Sequence, residues 1–388
     1  MARKKKEVVE VTVAKEDQRA ITKFLIKQMN NGEDLPIAWS LNDPNPTEVK
    51  DYISTGSTVL DMMIANKSGN VGIPQGKLTE IVGEEASGKS LLATQILANA
   101  QKAGGIAIYM DTEYAASPDF MKRLGIDIDK LVYMNPGSIE DCYAAIEKTI
   151  LMAKTRNVEC PVCIVWDSIA ATPPQAELDG DYDPNSRIGL AAKAHAKGLR
   201  KIQRMIGNDK VTLVFTNQLK VKIGVMFGDP MGTPGGKAIP YHADVRIRLT
   251  KSKEIAEGAK ALKETLGFHT YAKVFKNRLG PPMRKCEFDI LFASGVDDAN
   301  SIRDFLWQRG VIEKVNGCMI MKGPDEGIIS GELKFRAAKW AKMLRDREFK
   351  KFIDSKLEEL LVIKYDDQDI PEVEIDTDSA LEMESLDA

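Results

Sequence analysis

The chain has 388 residues, of which 43% are hydrophobic and 29% charged, with a formal net charge of -3. This is a globular composition with enough apolar residues for more than one domain. It excludes a membrane-spanning helix of about 18 uncharged apolar residues, and the basic start MARKKKEVVE lacks the apolar segment of a secretory signal. Five cysteines are too few for a disulfide scaffold, so a cytoplasmic protein that does not bind membranes is expected.

Residues 1–50 are predicted to form an appended N-terminal region. A helix is expected over Asp17–Met29, where Ala20, Phe24, Leu25 and Met29 could share one face. The Asn- and Pro-rich segment LNDPNPTE then breaks the chain before the next region.

Residues 51–294 alternate apolar strands with amphipathic helices, which predicts an α/β core with a mostly parallel, twisted sheet flanked by helices. The predicted strands are KLTEIVG, GIAIYMD, KLVYM, VCIVWD, VTLVFTN, DVRIRLT and TYAKVFKN. The predicted helices are KSLLATQILANAQKA, IEDCYAAIEKTILMAKT and IGLAAKAHAKGLRKIQRMI. No helix separates DVRIRLT, TYAKVFKN and RKCEFDIL, which favours an antiparallel extension at one edge.

The motif GEEASGKS, from Gly83 to Ser90, stands between an apolar strand and a helix, where the pattern GxxxxGK[ST] is most specific. Its backbone N–H groups and the helix N-terminus are expected to hold phosphates. Lys89 would reach the β- and γ-phosphates of ATP, and the Ser90 hydroxyl would bind Mg²⁺. The rest of the predicted nucleotide loop is Gly83, Glu84, Glu85, Ala86, Ser87 and Gly88.

Two strand ends supply carboxylates for this chemistry. Asp167 ends VCIVWD, and it is either a metal-site carboxylate, acting directly or through water, or an ordinary helix cap. Asp111 and Glu113 follow GIAIYM, and Glu113 is the preferred candidate for polarising water, although a solvated loop is the alternative. Cys160 and Cys163 in the same region are interpreted as buried strand residues rather than metal ligands.

The segment QLKVKIGVMFGDPMGTPGGKA, residues 218–238, contains too many Gly and Pro residues to form one strand or helix. Long irregular loops in compact domains are usually functional or disordered. Gln218, at the end of VTLVFTNQ, could bond the γ-phosphate and transmit its presence into this loop.

Taken in order, STGSTVLDMMI, GEEASGKS, YMDTEY, IVWDS, NQLKVKIGVMFGDP, GGKAI and KNRLGPP resemble the RecA-type recombinases of bacteria and phages. The resemblance covers residues 50–295 well and 295–365 loosely. It implies a RecA-like phosphate-loop ATPase core with DNA-stimulated ATP hydrolysis. It further implies a helical homopolymer that forms on single-stranded DNA and pairs it with homologous double-stranded DNA, with single-strand-binding and mediator proteins as further partners.

The resemblance also implies individual roles. Glu113 would activate water, Gln218 would sense the γ-phosphate, and Phe120 would stack on adenine. Lys276 and Arg278 would reach across a subunit boundary to the ATP of the neighbour, and residues 1–50 and Tyr241 would either contribute to that contact between copies or pack as ordinary core or surface residues. The chain departs from the family pattern in having Arg278 for a lysine, Tyr114 for a histidine and Ser117 for an acidic residue.

The implied DNA-binding residues lie in and beside two segments, Glu177–Gly189 and 218–238. Ile188 and Ile223 would insert between stretched bases, while lysines and glycine N–H groups contact phosphates. In the helix after the first segment, a basic stripe is either part of this surface or an ordinary solvated face. The remaining candidates are Lys193, Arg200, Lys220, Lys222, Gly235 and Gly236, with Lys197 and Lys201 in the stripe.

The C-terminal part is predicted to comprise a small domain over residues 295–364 and a disordered acidic tail over 365–388. From Asp366 onward there are ten Asp or Glu and no Lys or Arg, so the preceding chain is net positive. The tail could compete with DNA for a basic surface or serve solubility alone. Two rival functions share the phosphate loop, namely a ring-forming helicase or translocase and an NTP-binding polymer without strand exchange. A metabolic kinase lacks any visible acceptor-substrate pattern.

Overall fold

The structure is a computed structural model that describes residues 15–32, 36–42, 48–156, 160–180, 189–206, 210–221, 231–257, 264–323 and 331–364. Three of the predicted DNA-binding residues, Ile188, Lys222 and Ile223, and the acidic tail lie outside these ranges.

Helices and strands alternate through most of the described chain. The helices are α1 (Lys15–Met29), α2 (Thr58–Ala65), α3 (Lys89–Lys102), α4 (Pro118–Arg123), α5 (Ile139–Thr155), α6 (Gln175–Leu178), α7 (Leu190–Ile206), α8 (Ala238–His242), α9 (Asp298–Gln308), α10 (Trp340–Met343) and α11 (Arg347–Leu361). The strands are β1 (Tyr52–Ile53), β2 (Ile73–Pro74), β3 (Leu78–Gly83), β4 (Ile106–Asp111), β5 (Leu131–Met134), β6 (Val162–Asp167), β7 (Val211–Gln218), β8 (Lys220–Val221), β9 (Met231–Gly232), β10 (Val245–Glu257), β11 (Glu264–Asn277), β12 (Arg284–Leu291), β13 (Gly295–Val296), β14 (Ile312–Val315), β15 (Cys318–Lys322) and β16 (Glu332–Phe335).

One large sheet organises the described residues. Its nine strands run in the order β13-β12-β11-β10-β3-β7-β6-β4-β5. Neighbours from β10 through β5 are parallel, whereas β11, β12 and β13 are added antiparallel. The prediction of a mostly parallel sheet with an antiparallel extension is therefore confirmed.

Helices cover both faces of this sheet because its central strands are apolar on both sides. Along β6, Cys163 and Val165 join one buried cluster, with α2, α3, α9 and α11, while Ile164 and Trp166 join the other, with α5, α7 and α8. The alternation follows from the two-residue period of a strand. Cys163 is a buried strand residue as expected, but Cys160 precedes β6 and is only partly buried, so that part of the expectation is wrong.

The C-terminal region packs directly on the core. Thr58 at the start of α2 donates to Asp298 through its N–H (2.7 Å) and its hydroxyl (2.7 Å), and Trp340 Nε1 donates to the Ala299 carbonyl (2.6 Å). The three antiparallel strands β14, β15 and β16 were not individually predicted from the sequence. The division of the chain at residue 294 stays a prediction.

Helix α1 begins two residues before its predicted start and ends at Met29 as expected. Its apolar stripe is exposed: Phe24 is 59% and Leu25 is 52% accessible. The chain reverses direction after α1, where the Asn30 side chain bonds the backbone of Ile37 and Ala38 at 2.8 to 2.9 Å. The described part of the chain therefore leaves about half of the surface of these apolar side chains exposed.

Candidate nucleotide and DNA-binding site

The glycine loop leaves the centre of the sheet, where β3 lies between β7 and β10, and leads into α3. Ala86 (φ 55°) and Gly88 (φ 93°) both adopt left-handed backbone, which turns successive N–H groups toward one side. A Cβ at Gly83 would lie 2.7 Å from the Leu249 carbonyl oxygen, so no larger residue fits there. The loop is therefore a compact backbone cradle at a helix N-terminus, which suits a phosphate chain.

Lys89 folds back over this cradle. Its Nζ donates to the Glu84 carbonyl at 2.7 Å, and the same carbonyl accepts from Ser87 Oγ at 2.8 Å. Burial lowers the pKa of Lys89, and the nearby carboxylates of Asp167, Glu113 and Glu85 oppose this shift. A lysine among carboxylates, beside the Ser90 hydroxyl, is a donor set that fits a polyphosphate with its divalent cation.

Asp167 is held from two sides at the end of β6. Tyr109 Oη donates to its Oδ2 at 2.6 Å and Thr216 Oγ1 to its Oδ1 at 2.5 Å, and the residue is only 5% exposed. Burial, followed by the charge of Asp167 and its hydrogen bond, raises the pKa of the Tyr109 hydroxyl. Each oxygen accepts one of these hydrogen bonds and keeps a second lone pair for a water molecule or a cation.

The two carboxylates after β4 have different environments. Asp111 is buried, and its oxygens accept from the N–H groups of Glu113 and Ala116 and from Tyr133 Oη, each at 3.0 Å. It therefore organises the turn. Glu113 is exposed, and one of its oxygens accepts a hydrogen bond from Ser168 Oγ. Of the two, only Glu113 presents a carboxylate to solvent beside the loop.

Gln218 lies next to the phosphate cradle. In the parallel pair of β3 and β7 it is in register with Gly83, and the following Leu219 N–H donates to the Gly83 carbonyl at 3.1 Å. The preceding Asn217 is buried and donates to Glu80 Oε1 (2.9 Å) and to the Pro234 carbonyl (3.1 Å). The strand beside the cradle is thus fastened to the far end of the 218–238 segment.

The residues around the predicted adenine position include one that sequence reasoning missed. Phe120 lies on α4, partly buried, and Ser117 caps that helix by accepting from the Phe120 N–H. The missed residue is Phe292, which is 40% exposed directly after β12 and 5.9 Å in ring-centroid distance from Phe268. The Phe268 ring would lie 3.2 Å from a Cβ at Gly88, so both aromatics are near the cradle. The sequence feature that could have indicated Phe292 is an aromatic residue directly after a predicted strand.

The predicted DNA-binding residues that the structure describes lie around α7. Its buried side chains His195, Leu199, Ile202 and Ile206 form one stripe, and Lys193 and Arg200 are exposed elsewhere on the helix. Arg200 Nε donates to the Ala196 carbonyl at 3.0 Å. Lys201 forms an ion pair with Glu147 (2.6 Å), and Lys197 is exposed.

The C-terminal part of the second predicted DNA-binding segment approaches the same helix. Lys220 is exposed on β8, which pairs with β9. Gly235 (φ 90°) and Gly236 (φ 72°) have left-handed backbone. A Cβ at Gly236 would lie 2.7 Å from the Ala192 Cβ, so these glycines permit close packing on α7.

Lys276 and Arg278 are not brought to the cradle of their own chain. Lys276 pairs with Arg246 between β11 and β10, and Arg246 pairs with Glu80 near the start of β3. The Arg278 N–H donates to the Asp244 carbonyl, and the Asp244 N–H to the Leu78 carbonyl. Lys276 and Arg278 therefore lie level with Glu80 and Leu78 in the amino half of β3, about 10 and 16 Å of strand from Gly83 at 3.3 Å per residue.

Local contacts hold this basic pair in place. Lys276 Nζ donates to the carbonyls of Pro240 (2.8 Å) and Tyr241 (2.9 Å). Arg278 donates to Asp244 Oδ1 (3.2 Å) and the Tyr241 carbonyl (2.9 Å). Burial and the charge of Arg278 lower the pKa of Lys276. Tyr241 itself is 72% exposed beside them.

A glycine loop between a central parallel strand and a helix, on a sheet extended by antiparallel strands, defines the architecture of a RecA-like nucleotide-binding core. Comparison with known proteins agrees: the RecA N-terminal domain matches residues 25–297. Protein RecA of Ruminococcus albus is 36% identical over 319 residues, which cover 80% of this chain and 75% of that protein. Protein RecA of Streptomyces venezuelae is 38% identical over 282 residues, which cover 73% of this chain and 70% of that protein. Protein RecA of Nocardia farcinica is 36% identical over 314 residues, which cover 81% of this chain and 84% of that protein.

The chain therefore belongs to the family of RecA-type recombinases. Membership implies use of a nucleotide, binding of DNA and self-association. Within the described residues, no helix has the length and apolar character needed to cross a membrane.

Proposed function

We propose that this chain is an ATP-dependent recombinase that assembles on single-stranded DNA, pairs it with homologous duplex and hydrolyses ATP in response to DNA. The observation that carries the proposal is the register of Gln218 with Gly83. It places the start of the 218–238 segment beside the phosphate cradle, so one amide side chain can contact both a γ-phosphate and the chain that leads into a DNA-binding loop. Order–disorder switches driven by γ-phosphate contacts use this arrangement.

ATP would lie along residues 83–90, with Lys89 on its β- and γ-phosphates. Mg²⁺, bound by Ser90 Oγ and approached by Asp167 through water, would neutralise the phosphate charge. Glu113, held by Ser168, would orient and polarise the attacking water. Phe120, with Phe292 on the other side of the loop, would provide aromatic surface for the base.

DNA would lie against α7 and the flanks of the 218–238 segment. Lys193, Arg200 and Lys220 are exposed cations, and the left-handed backbone at Gly235 and Gly236 would supply N–H donors to phosphates. Ile188, Lys222 and Ile223 remain predicted members of the same surface. Contacts of this kind bind phosphates without reading bases, so affinity should be independent of sequence and fall steeply with salt.

A polymer would complete the active site. Lys276 and Arg278 lie level with the amino half of β3, away from the cradle of their own chain, as the strand register requires. They would therefore act on the ATP of a neighbouring copy, while the exposed stripe of α1 offers apolar surface for contact between copies. Heterologous contacts that do not close into a ring produce a helical filament.

A strand-exchange assay tests the proposal, with single-stranded circular DNA, homologous linear duplex and ATP. The unchanged chain should form joint molecules and hydrolyse ATP faster when single-stranded DNA is added. Lys89→Ala should lower DNA-stimulated hydrolysis by about a hundredfold or more, because it removes the cation on the transferred phosphate. Lys102→Ala, at the other end of α3, is the matched control and should be active.

Electron microscopy of the same mixtures separates the rival functions. Helical filaments on single-stranded DNA support the proposal. Closed rings that unwind forked duplex would replace it with a translocating motor, and filaments without joint molecules would replace it with a polymerising nucleotide-binding protein.

A further inference from the structure

A buried cluster of aromatic rings lies between the two predicted DNA-binding segments and the turn that holds Glu113. It consists of Tyr143 on α5, Trp166 on β6, His195 on α7 and Phe215 on β7, and we refer to it as the aromatic–histidine cluster. Trp166 is central, with ring-centroid distances of 5.3 Å to Tyr143, 5.7 Å to His195 and 5.2 Å to Phe215. All four side chains are at most 7% exposed.

On one side the cluster reaches the predicted DNA-binding segments. His195 lies on α7, the helix that follows the first segment, and a Cβ at Gly235, near the end of the second segment, would lie 3.1 Å from His195 Cδ2. His195 therefore packs against the second segment and belongs to the helix that begins where the first segment ends. Displacement of Gly235 or of α7 would move this ring, because packed interiors leave little room for adjustment.

On the other side the cluster reaches the candidate hydrolytic turn. Trp166 Nε1 donates to Thr172 Oγ1 at 2.9 Å. Thr172 Oγ1 is in turn within hydrogen-bond distance of the Ser168 carbonyl (2.8 Å) and Thr112 Oγ1 (3.0 Å). Ser168 then donates through its hydroxyl to the Glu113 carboxylate. A hydrogen-bonded path thus runs from the indole to the carboxylate proposed to act on water.

The orientation of the histidine ring is fixed by one polar contact. Tyr143 Oη lies 3.0 Å from His195 Nδ1, whereas Nε2 has no hydrogen-bond partner among the residues the structure describes. Burial lowers the pKa of His195 to about 4, so the ring is neutral near pH 7. The hydrogen bond with the Tyr143 hydroxyl thus determines which edge of the imidazole ring faces Gly235 and which edge faces Trp166.

We propose that Tyr143, His195 and Trp166 are positioning residues that transmit DNA occupancy of both predicted segments to the Ser168–Glu113 pair, alongside the route through Gln218. The proposal rests on the proposed function, since it presumes that DNA stimulates hydrolysis. It assigns the cluster no contact with DNA or nucleotide. Loss of the hydrogen bonds within the aromatic–histidine cluster should leave DNA binding and basal ATP hydrolysis intact but reduce the stimulation of hydrolysis by DNA.

The test compares ATP hydrolysis with and without single-stranded oligo-dT for the unchanged chain, Tyr143→Phe and Tyr271→Phe. Tyr143→Phe removes only the hydroxyl that orients His195, and the exposed Tyr271 is the matched control. We expect Tyr143→Phe to keep its DNA-free rate and its affinity for oligo-dT within about twofold, and to lose about fivefold in the ratio of stimulated to basal rate, as expected for one buried hydrogen bond. Tyr271→Phe should match the unchanged chain.

Two His195 variants provide a rescue. Asparagine keeps a polar atom near the place of Nδ1 for the Tyr143 hydroxyl, so His195→Asn should retain most of the stimulation, whereas the apolar His195→Leu should lose it. A double-mutant cycle of Tyr143→Phe with Thr172→Val should be non-additive, because both act along one path. A merely structural role would instead lower the DNA-free rate and the thermal midpoint together in every variant.

Full stimulation in Tyr143→Phe and His195→Leu, or strictly additive effects in the cycle, would overturn the coupling while leaving the recombinase function intact. Absence of DNA stimulation in the unchanged chain would instead overturn the proposed function, and the coupling with it.

Discussion

Two carboxylates lie where the start of α2 meets the start of α9, the buried Asp61 and the partly buried Asp298. Asp61 accepts from Ser54 Oγ (2.5 Å), from the Thr55 N–H (2.8 Å) and from Thr55 Oγ1 (2.6 Å), and Asp298 accepts from Thr58. Burial outweighs these hydrogen bonds and raises the pKa of Asp61 to about 7, and burial raises the pKa of Asp298 as well. The fold therefore disfavours the negative charge at this junction.

The stability of the protein should consequently depend on pH through Asp61. Its pKa is higher in the folded state than the usual value of 3.8, so between these values the folded state binds the extra proton. The stabilising contribution is complete below about pH 4 and is lost as the pH rises through about 7, by roughly 4 kcal/mol in all. Asp61→Asn, which keeps an oxygen for Thr55, should flatten this part of the profile.

Urea unfolding at pH 5 and pH 8 measures the effect. The difference in unfolding free energy between the two pH values should be smaller in Asp61→Asn than in the unchanged chain. Asp354→Asn, an exposed partner of Lys350 on α11, is the control and should leave the difference unchanged. Equal pH dependence in Asp61→Asn and the unchanged chain would show that the carboxyl titrates normally in the fold.

Local sequence motifs predict most residues of the candidate site, but the residues that support them are apparent only in the structure. GEEASGKS identifies a phosphate loop because the chemistry depends on contiguous residues. Tyr109 and Thr216, which hold Asp167, are 58 and 49 positions away from it in sequence. Pairings of that kind depend on which strands become neighbours, which the pattern of a single strand does not specify.

At the scale of elements, α1 is an amphipathic helix with an apolar stripe that is about half exposed within the described part of the chain. Ile21, Phe24, Leu25 and Met29 are between 48% and 59% exposed. A contiguous exposed apolar stripe of this kind marks an interaction surface. If the surface is a contact between copies, its loss should weaken assembly while leaving the fold of each copy unchanged.

Phe24→Ala tests this role. Burial of one phenylalanine contributes about 1.5–3 kcal/mol, so the protein concentration at half-maximal DNA-dependent hydrolysis should rise about tenfold or more. The thermal midpoint of the dilute protein should not change. Lys23→Ala, on the adjacent position of the same helix, should leave assembly as it was, and an equal effect of both substitutions would exclude a specific role for the stripe.

The elements themselves differ in how well the sequence predicts them. Strands β3, β4, β6 and β7 follow their predicted segments within a residue or so because they are short, continuous apolar runs buried on both faces. The small strands β14, β15 and β16 escaped prediction. They are only four or five residues long and share no pattern of alternation, as IEKV, CMIMK and ELKF show, so their pairing with one another rather than their composition makes them a sheet.

At the scale of the whole molecule, the sheet separates the two halves of the proposed active site. The cradle and Glu113 lie at the carboxyl ends of the parallel strands, and the Lys276–Arg278 pair lies level with the amino half of β3. A complete site would therefore take its loop from one copy and its basic pair from the next. Such an arrangement would make hydrolysis depend on the polymer, and it predicts that two differently damaged copies can restore activity to one another.

Mixing two inactive variants tests that prediction. Lys89→Ala lacks the loop cation, and the double variant Lys276→Ala, Arg278→Ala lacks the basic pair. In a random equimolar polymer, about a quarter of the boundaries between copies join an intact loop to an intact basic pair. The mixture should therefore show about a quarter of the hydrolysis rate of the unchanged chain. Cosedimentation of a tagged copy with an untagged one establishes that the variants assemble together.

A second mixture provides the control, combining Lys89→Ala with Glu113→Gln. Both residues belong to the same half of the site, so every boundary in that polymer carries one damaged loop or one missing carboxylate, and no activity should return. Recovery in both mixtures would point to exchange or contamination rather than shared sites. No recovery in the first mixture, with assembly intact, would place the basic pair outside the hydrolytic site and leave it a role in holding Tyr241 and the neighbouring backbone.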